Sequence, residues 1–131
     1  MRAFKMKRKN LHGFFQAIQP FGALWGPVRD GEGFSLKEIV DYSDVDLTAL
    51  RTKIPFKKLL VPPRFNMFSY DANGVRPEET EQDKKVIFGL HPCDLHGLLI
   101  MDNFHSMHYT DPYYMERRKK VAVIGLSCIP D

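Results

Sequence analysis

Cysteine is scarce in this sequence, with Cys93 and Cys128 the two thiols among 131 residues. Two cysteines cannot build a disulfide framework, and in a cytosolic chain they stay reduced. No Cys-x-x-Cys pair occurs, so a thioredoxin-like redox motif has no basis. Nor is there a G-x-G-x-x-G stretch or a P-loop, and nucleotide binding has no support. Long apolar runs are missing too. The run from Val121 to Leu126 falls far below the roughly 18 residues that suggest a membrane span. The basic N-terminus does not lead into the apolar segment of a signal peptide. These two absences give the expectation of a cytoplasmic chain without a membrane span.

Charge of one sign is not in excess either. The net charge is +3, and much of it sits in Lys5, Lys7, Arg8 and Lys9 and again in Arg117, Arg118, Lys119 and Lys120. No aromatic or glycine pattern of a nucleic-acid module accompanies these patches, so they read as solvated faces and nucleic acid is not an expected partner. Phe14, Phe15, Trp25, Phe34, Phe56, Phe65 and Phe68 form no stacking platform and read as core or as an interface with a partner subunit.

What is present suits one folded domain over residues 1–131. Hydrophobic residues make up 44% and charged residues 27%, which is enough to bury a core. Leu11, Phe14, Phe15 and Ile18 recur at helical spacing after Asn10, a suitable N-cap, and predict a helix ending by Pro20. Ala23 to Val28 and Phe34 to Val40, joined by Arg29-Asp30-Gly31-Glu32-Gly33, predict a hairpin. Pro55, Pro62 and Pro63 exclude a helix or central strand over 54–68, and a partly extended loop is expected there. Asp71 to Lys85 reads as a charged surface connection with a turn at Asn73-Gly74 and the carboxylates of Glu78, Glu79, Glu81 and Asp83.

The last third predicts a strand, helix, strand unit. Val86 to Leu90 and Val121 to Leu126 suit buried parallel strands, and Asp94 to Met101 suits a helix capped by Asp94. The fold class is therefore α/β, with α+β as the alternative: a mixed sheet ending in this unit. Crossovers of this kind place the two strands parallel in one sheet, so Cys93 and Cys128 leave at the same edge. Ligand sites in open α/β sheets favour that edge. Cys93 also stands at a helix N-terminus, where the dipole favours a thiolate, the form that binds metal.

Four readings of the thiols follow from these residues, and all stay open. They are small buried side chains, a redox disulfide if their Cα atoms come within about 7 Å, zinc ligands together with His91 or His96, or a nucleophile with a histidine as base. His105 and His108 lie in a polar connection and read as surface residues. Arg117 and Arg118 are placed to pair with Asp102 or Asp94 and so fix the cysteine loops; the alternative is a solvated basic helix end.

The segments LLVPPRFNMFSY, VIFGLHPCDLHGLLIMD, DPYYMERRKK and VAVIGLSCIPD, in this order, resemble the N-terminal domain of a family of iron–sulfur electron-transfer subunits. That family includes the beta subunit of sulfhydrogenases, an iron–sulfur component of anaerobic sulfite reductase and proteins associated with heterodisulfide reductase. Cys93 and Asp94 match its P-C-D motif, and Asp102 matches its following aspartate. Asp111, Pro112, Tyr113, Arg117 and Arg118 match its tyrosine-arginine stretch, and Cys128 its G-L-x-C cysteine. His91 stands where the family often has arginine, and Gly97 where it often has alanine.

A similar arrangement occurs in the beta subunits of deazaflavin-reducing hydrogenases, where the cysteines help to hold a cluster. The resemblance implies that Cys93 and Cys128 are two ligands of a [4Fe–4S] cluster, with Asp94, Asp102, Arg117 and Arg118 around them. Because the family continues into a ferredoxin-like domain, it also implies a piece of a longer subunit whose cluster is incomplete here. Expected partners are other subunits of a redox complex: hydrogenase, flavin or heterodisulfide reductase subunits. The role implied is electron transfer rather than catalysis by this chain alone.

Overall fold

A computed structural model describes residues 6–78 and 83–127. Asn10 precedes α1 (Leu11–Ile18), although its side chain makes no capping hydrogen bond. The predicted hairpin is β1 (Ala23–Asp30) and β2 (Gly33–Glu38), paired antiparallel from Trp25 against Glu38 to Asp30 against Gly33. Its loop is the two residues Gly31-Glu32, and Gly31 has a φ of 62°, as a tight turn between twisted strands requires.

The proline-rich stretch is a loop with one 3-10 turn, Phe56–Leu59, which buries Phe56 and leads into the buried Leu60. Beyond it the surface connection proves more ordered than its charges suggested. Phe68–Asp71 and Gly74–Pro77 form a second hairpin, β3 and β4, in a separate two-stranded sheet whose residues are all exposed. Four-residue strands with no buried side chain leave little periodic signal, which is why the sequence shows only the turn. Glu79 and Glu81 lie outside the described residues.

The last third follows the predicted order. β5 (Lys85–Leu90) and β6 (Val121–Gly125) are parallel neighbours, and β1 also runs parallel to β5. The main sheet has the order β2-β1-β5-β6, mixed as the sequence implied. Between β5 and β6 come α2 (Pro92–Ser106) and α3 (Pro112–Lys119). Asp94 is not the cap of α2. The chain leaves β5 so directly that His91, with extended backbone, is the N-cap; Pro92 takes the first helical position, which needs no N–H donor, and Asp94 falls within the first turn.

The sheet buries both faces. On one side Phe15, Leu24, Ile39, Val86 and Phe88 form a core beneath α1. On the other Phe56, Leu60, Ile87, Leu90, Leu98, Tyr114 and Val121 form a core beneath α2 and α3. Strict alternation along β5 would put Leu90 with Val86 and Phe88. The ladder shifts between Phe88 and Leu90, and Gly89 at φ 87° absorbs the extra residue. This bulge turns Leu90 to the α2 side just before the cysteine.

Candidate functional site

The bulge, the cap of α2 and the end of β6 together shape the edge where Cys93 stands. His91 is 6% exposed, and its Nε2 donates to the Ala49 carbonyl across 2.9 Å. That bond holds the ring toward the 45–53 segment and makes His91 a brace for the turn. His96 is exposed on α2. No cluster of three or more His, Cys, Asp or Glu side chains suited to a metal ion exists among the described residues.

Cys93 is the second residue of α2 and its thiol is exposed and free. It lines a cavity of about 290 Å³. Pro27, Leu36, Phe56 and Leu90 are among its apolar lining, and Arg51, Thr52 and Asp94 line it with polar groups. Gly89 brings its backbone close to Pro27, whose Cδ would lie 3.1 Å from any added Cβ.

β6 ends under the same turn. The Leu126 N–H donates to the Leu90 carbonyl across 2.8 Å, and a Cβ on Gly125 would sit 2.9 Å from Leu95 Cδ1. The strand leading to Cys128 therefore ends beside the first turn of α2; Cys128 itself lies outside the described residues. A [4Fe–4S] cluster takes four thiolates. The described residues offer one exposed thiol, so they fit one corner of such a cluster and not a whole one.

The other expected site residues sit elsewhere. Asp102 accepts from Tyr114 Oη at 2.6 Å and from Arg118 Nε at 3.0 Å, and Arg118 Nη1 donates to the Val121 carbonyl. Asp102 and Arg118 thus pair, as the charges suggested. Their bridge ties α2 to α3 and to the start of β6, nine residues along α2 from Cys93, or roughly 13 Å at the helical rise. Arg117 turns the other way: its Nε donates to the Leu60 carbonyl at 2.8 Å and its guanidinium lies 4.3 Å from the Phe65 ring centre.

Two members of this network carried no sequence signal. Tyr114 is 1% exposed; burial raises its pKa well above the usual tyrosine value, and the hydrogen bond to Asp102 and the charge of that carboxylate push the same way. His105 corrects the expectation of a surface residue. Its ring stacks on Tyr114 with centres 4.0 Å apart, and Nδ1 stands 3.1 Å from Asp111 Oδ2, because α2 runs on to Ser106 and turns that position inward. Asp111 in turn caps α3, accepting from the N–H groups of Tyr113 and Tyr114. His108 is exposed, as expected, with a φ of 51°.

No helix among the described residues is long and apolar enough to cross a membrane. Compared with known proteins, the chain is 36% identical over 132 aligned residues, its whole length, to Sulfhydrogenase 2 subunit beta of Pyrococcus furiosus. It spans 39% of that relative's length. The likeness supports membership of the family of that subunit. No family model and no solved structure matches the chain.

Proposed function

We infer that the chain is part of the electron-transfer beta subunit of a hydrogenase-type redox complex, in which Cys93 and Cys128 help to hold a [4Fe–4S] cluster. The observation that carries this reading is the parallel pairing of β5 with β6, closed by the bond from Leu126 to Leu90, beside an exposed thiol in the first turn of α2. The identity to a sulfhydrogenase subunit supports the family part of the inference. The four motifs extend it to relatives in sulfite reductase and heterodisulfide reductase assemblies.

A bound cluster would supply one-electron chemistry. This chain's own part is to position a thiol: His91 braces the turn through Ala49, the Gly89 bulge sets where β5 ends, and the Asp102–Arg118 bridge fixes the far half of α2. The remaining thiolates would come from Cys128 and from the rest of a longer subunit. Its partners would be other subunits of the complex, including flavin or heterodisulfide reductase subunits, in the cytoplasm. The chain would bond to no substrate.

A second reading is a cluster-free docking module, and the exposed Leu99, Ile100 and Phe104 on α2 favour it. Iron counting separates the two. The intact subunit is reconstituted anaerobically with iron and sulfide and compared with Cys93→Ser and Cys128→Ser. Each variant is expected to lose about four iron atoms per chain together with the paramagnetic signal of one reduced cluster. Full iron in both variants would sink the cluster reading and leave the docking module.

A further inference from the structure

Helix α2 is apolar on both faces. Leu95, Leu98 and Met101 point to the core, while Leu99, Ile100 and Phe104, with Met107 at the C-cap, lie in solvent; Phe104 is 74% exposed. The outward face carries Asn103 and His96 between these residues and no Asp, Glu, Lys or Arg. A helix apolar all round belongs in an interior, so a single buried face leaves this one short of a cover.

The β3–β4 hairpin has the same deficit. Phe68 pairs with Pro77 and Tyr70 with Val75, so all four side chains share one face. Tyr70 is 81% and Val75 70% exposed. The opposite face holds Ser69, Asp71 and Arg76, with Arg76 and Asp71 neutralising each other across 3.2 Å. An isolated two-stranded hairpin is marginal in water. This one is held at its base, where Tyr113 Oη donates to the Met67 carbonyl and Phe65 packs against Tyr113.

The two faces match. Phe68 to Asp71 spans about 10 Å at the usual rise, and Leu99 to Met107 spans about 12 Å of helix. Both are uncharged, so neither repels the other. With aromatic side chains at about 150–250 Å² and aliphatic ones somewhat less, the exposed fractions of the seven large residues give roughly 800 Å² per chain. That is the area each partner contributes to a standard stable interface.

We propose that the chain forms a two-fold dimer by arm exchange, each β3–β4 hairpin laying its Phe68, Tyr70, Val75 and Pro77 face on the outward stripe of α2 in a second copy. One symmetry operation then covers both deficits twice. The proposal uses neither Cys93 nor the cavity and stands apart from the cluster reading.

The test is sedimentation velocity of the intact subunit at tens of micromolar, as wild type and as Tyr70→Asp and Phe104→Asp. The expected result is a wild-type particle of twice the subunit mass and at least tenfold weaker association in each variant. A contact already broken by one charge loses little to a second. Mixing the two variants therefore leaves one intact arm-on-stripe contact per heterodimer, and the mixture should dimerise more than either alone. Both positions are solvent-exposed, and circular dichroism checks that each variant folds; Tyr70→Ser and Phe104→Ser replace any that does not. A monomeric wild type would overturn the proposal and assign these faces to another subunit or to further chain. So would variants that still dimerise, or a mixture without gain.

Discussion

Replacing Asp102 by alanine tests the network that locks the second half of α2. The carboxylate holds two donors at once, Tyr114 Oη at 2.6 Å and Arg118 Nε at 3.0 Å. The arginine side chain is 28% exposed and can rehydrate. The phenol cannot, because Tyr114 is buried, and a buried donor left without a partner costs about 1–3 kcal/mol. Adding the weaker loss at the half-screened ion pair gives about 1–4 kcal/mol for Asp102→Ala. Tyr114→Phe removes the donor instead and leaves Asp102 held by Arg118, so about 1 kcal/mol is expected. Urea unfolding followed by circular dichroism measures both, and in heating runs each kcal/mol should move the midpoint by roughly 3–5 °C at this size.

The same network sets a pH response. The folded state raises the Tyr114 pKa from its ordinary 10.0, mainly through burial and then through Asp102. The phenol therefore contributes stability that is fully present below pH 10 and is lost as pH rises through the folded value. Above pH 10 the difference in stability between wild type and Tyr114→Phe should shrink, by up to about 1.4 kcal/mol per pH unit. An Asp102→Ala loss under about 1 kcal/mol, or one smaller than that of Tyr114→Phe, would refute the reasoning.

Two further outcomes are expected. Gly22→Ala should destabilise the chain by more than about 2 kcal/mol, since φ is 151° and an added Cβ would collide with the Lys84 carbonyl oxygen; Gly31→Ala, at φ 62° in open space, should cost about 1 kcal/mol. Equal losses in chemical denaturation would contradict the contact. Tyr113→Phe should speed hydrogen exchange across β3 and β4 while leaving the main sheet protected, because the bond to the Met67 carbonyl anchors the arm. Uniform protection in both proteins would show that the anchor is elsewhere.

Much of the framework was legible because burial writes periodicity. Leu11, Phe14, Phe15 and Ile18 announced α1, and the apolar runs at 86–90 and 121–125 announced the parallel pair. The boundaries of α2 were not legible. Histidine is not a usual cap, so Asp94 drew the assignment, and the far end of the helix is apolar on the solvent side, where no polar stripe marks it. The pairing of Asp102 with Arg118 could be guessed from charge. Its place along the helix, away from Cys93, could not, because that depends on where α3 docks. His105 needed Asp111 and Tyr114 to be brought inward together, a contact that no local pattern records.

The seam between β1 and β5 joins Ala23 to Lys85, partners separated by roughly sixty residues of chain. Each side of the seam is local: α1 with the β1–β2 hairpin, and β5 with β6 through the short helical crossover. The two halves can therefore order quickly, while the join waits on the closure of a long loop and is expected to limit the folding rate. During synthesis the first half emerges with the edge of β1 unpaired until β5 arrives, and the core that Phe15, Leu24 and Ile39 share is completed only by Val86 and Phe88. The most exposed moment in the life of this sheet comes before its second half has been made, and a slow ribosome would lengthen it.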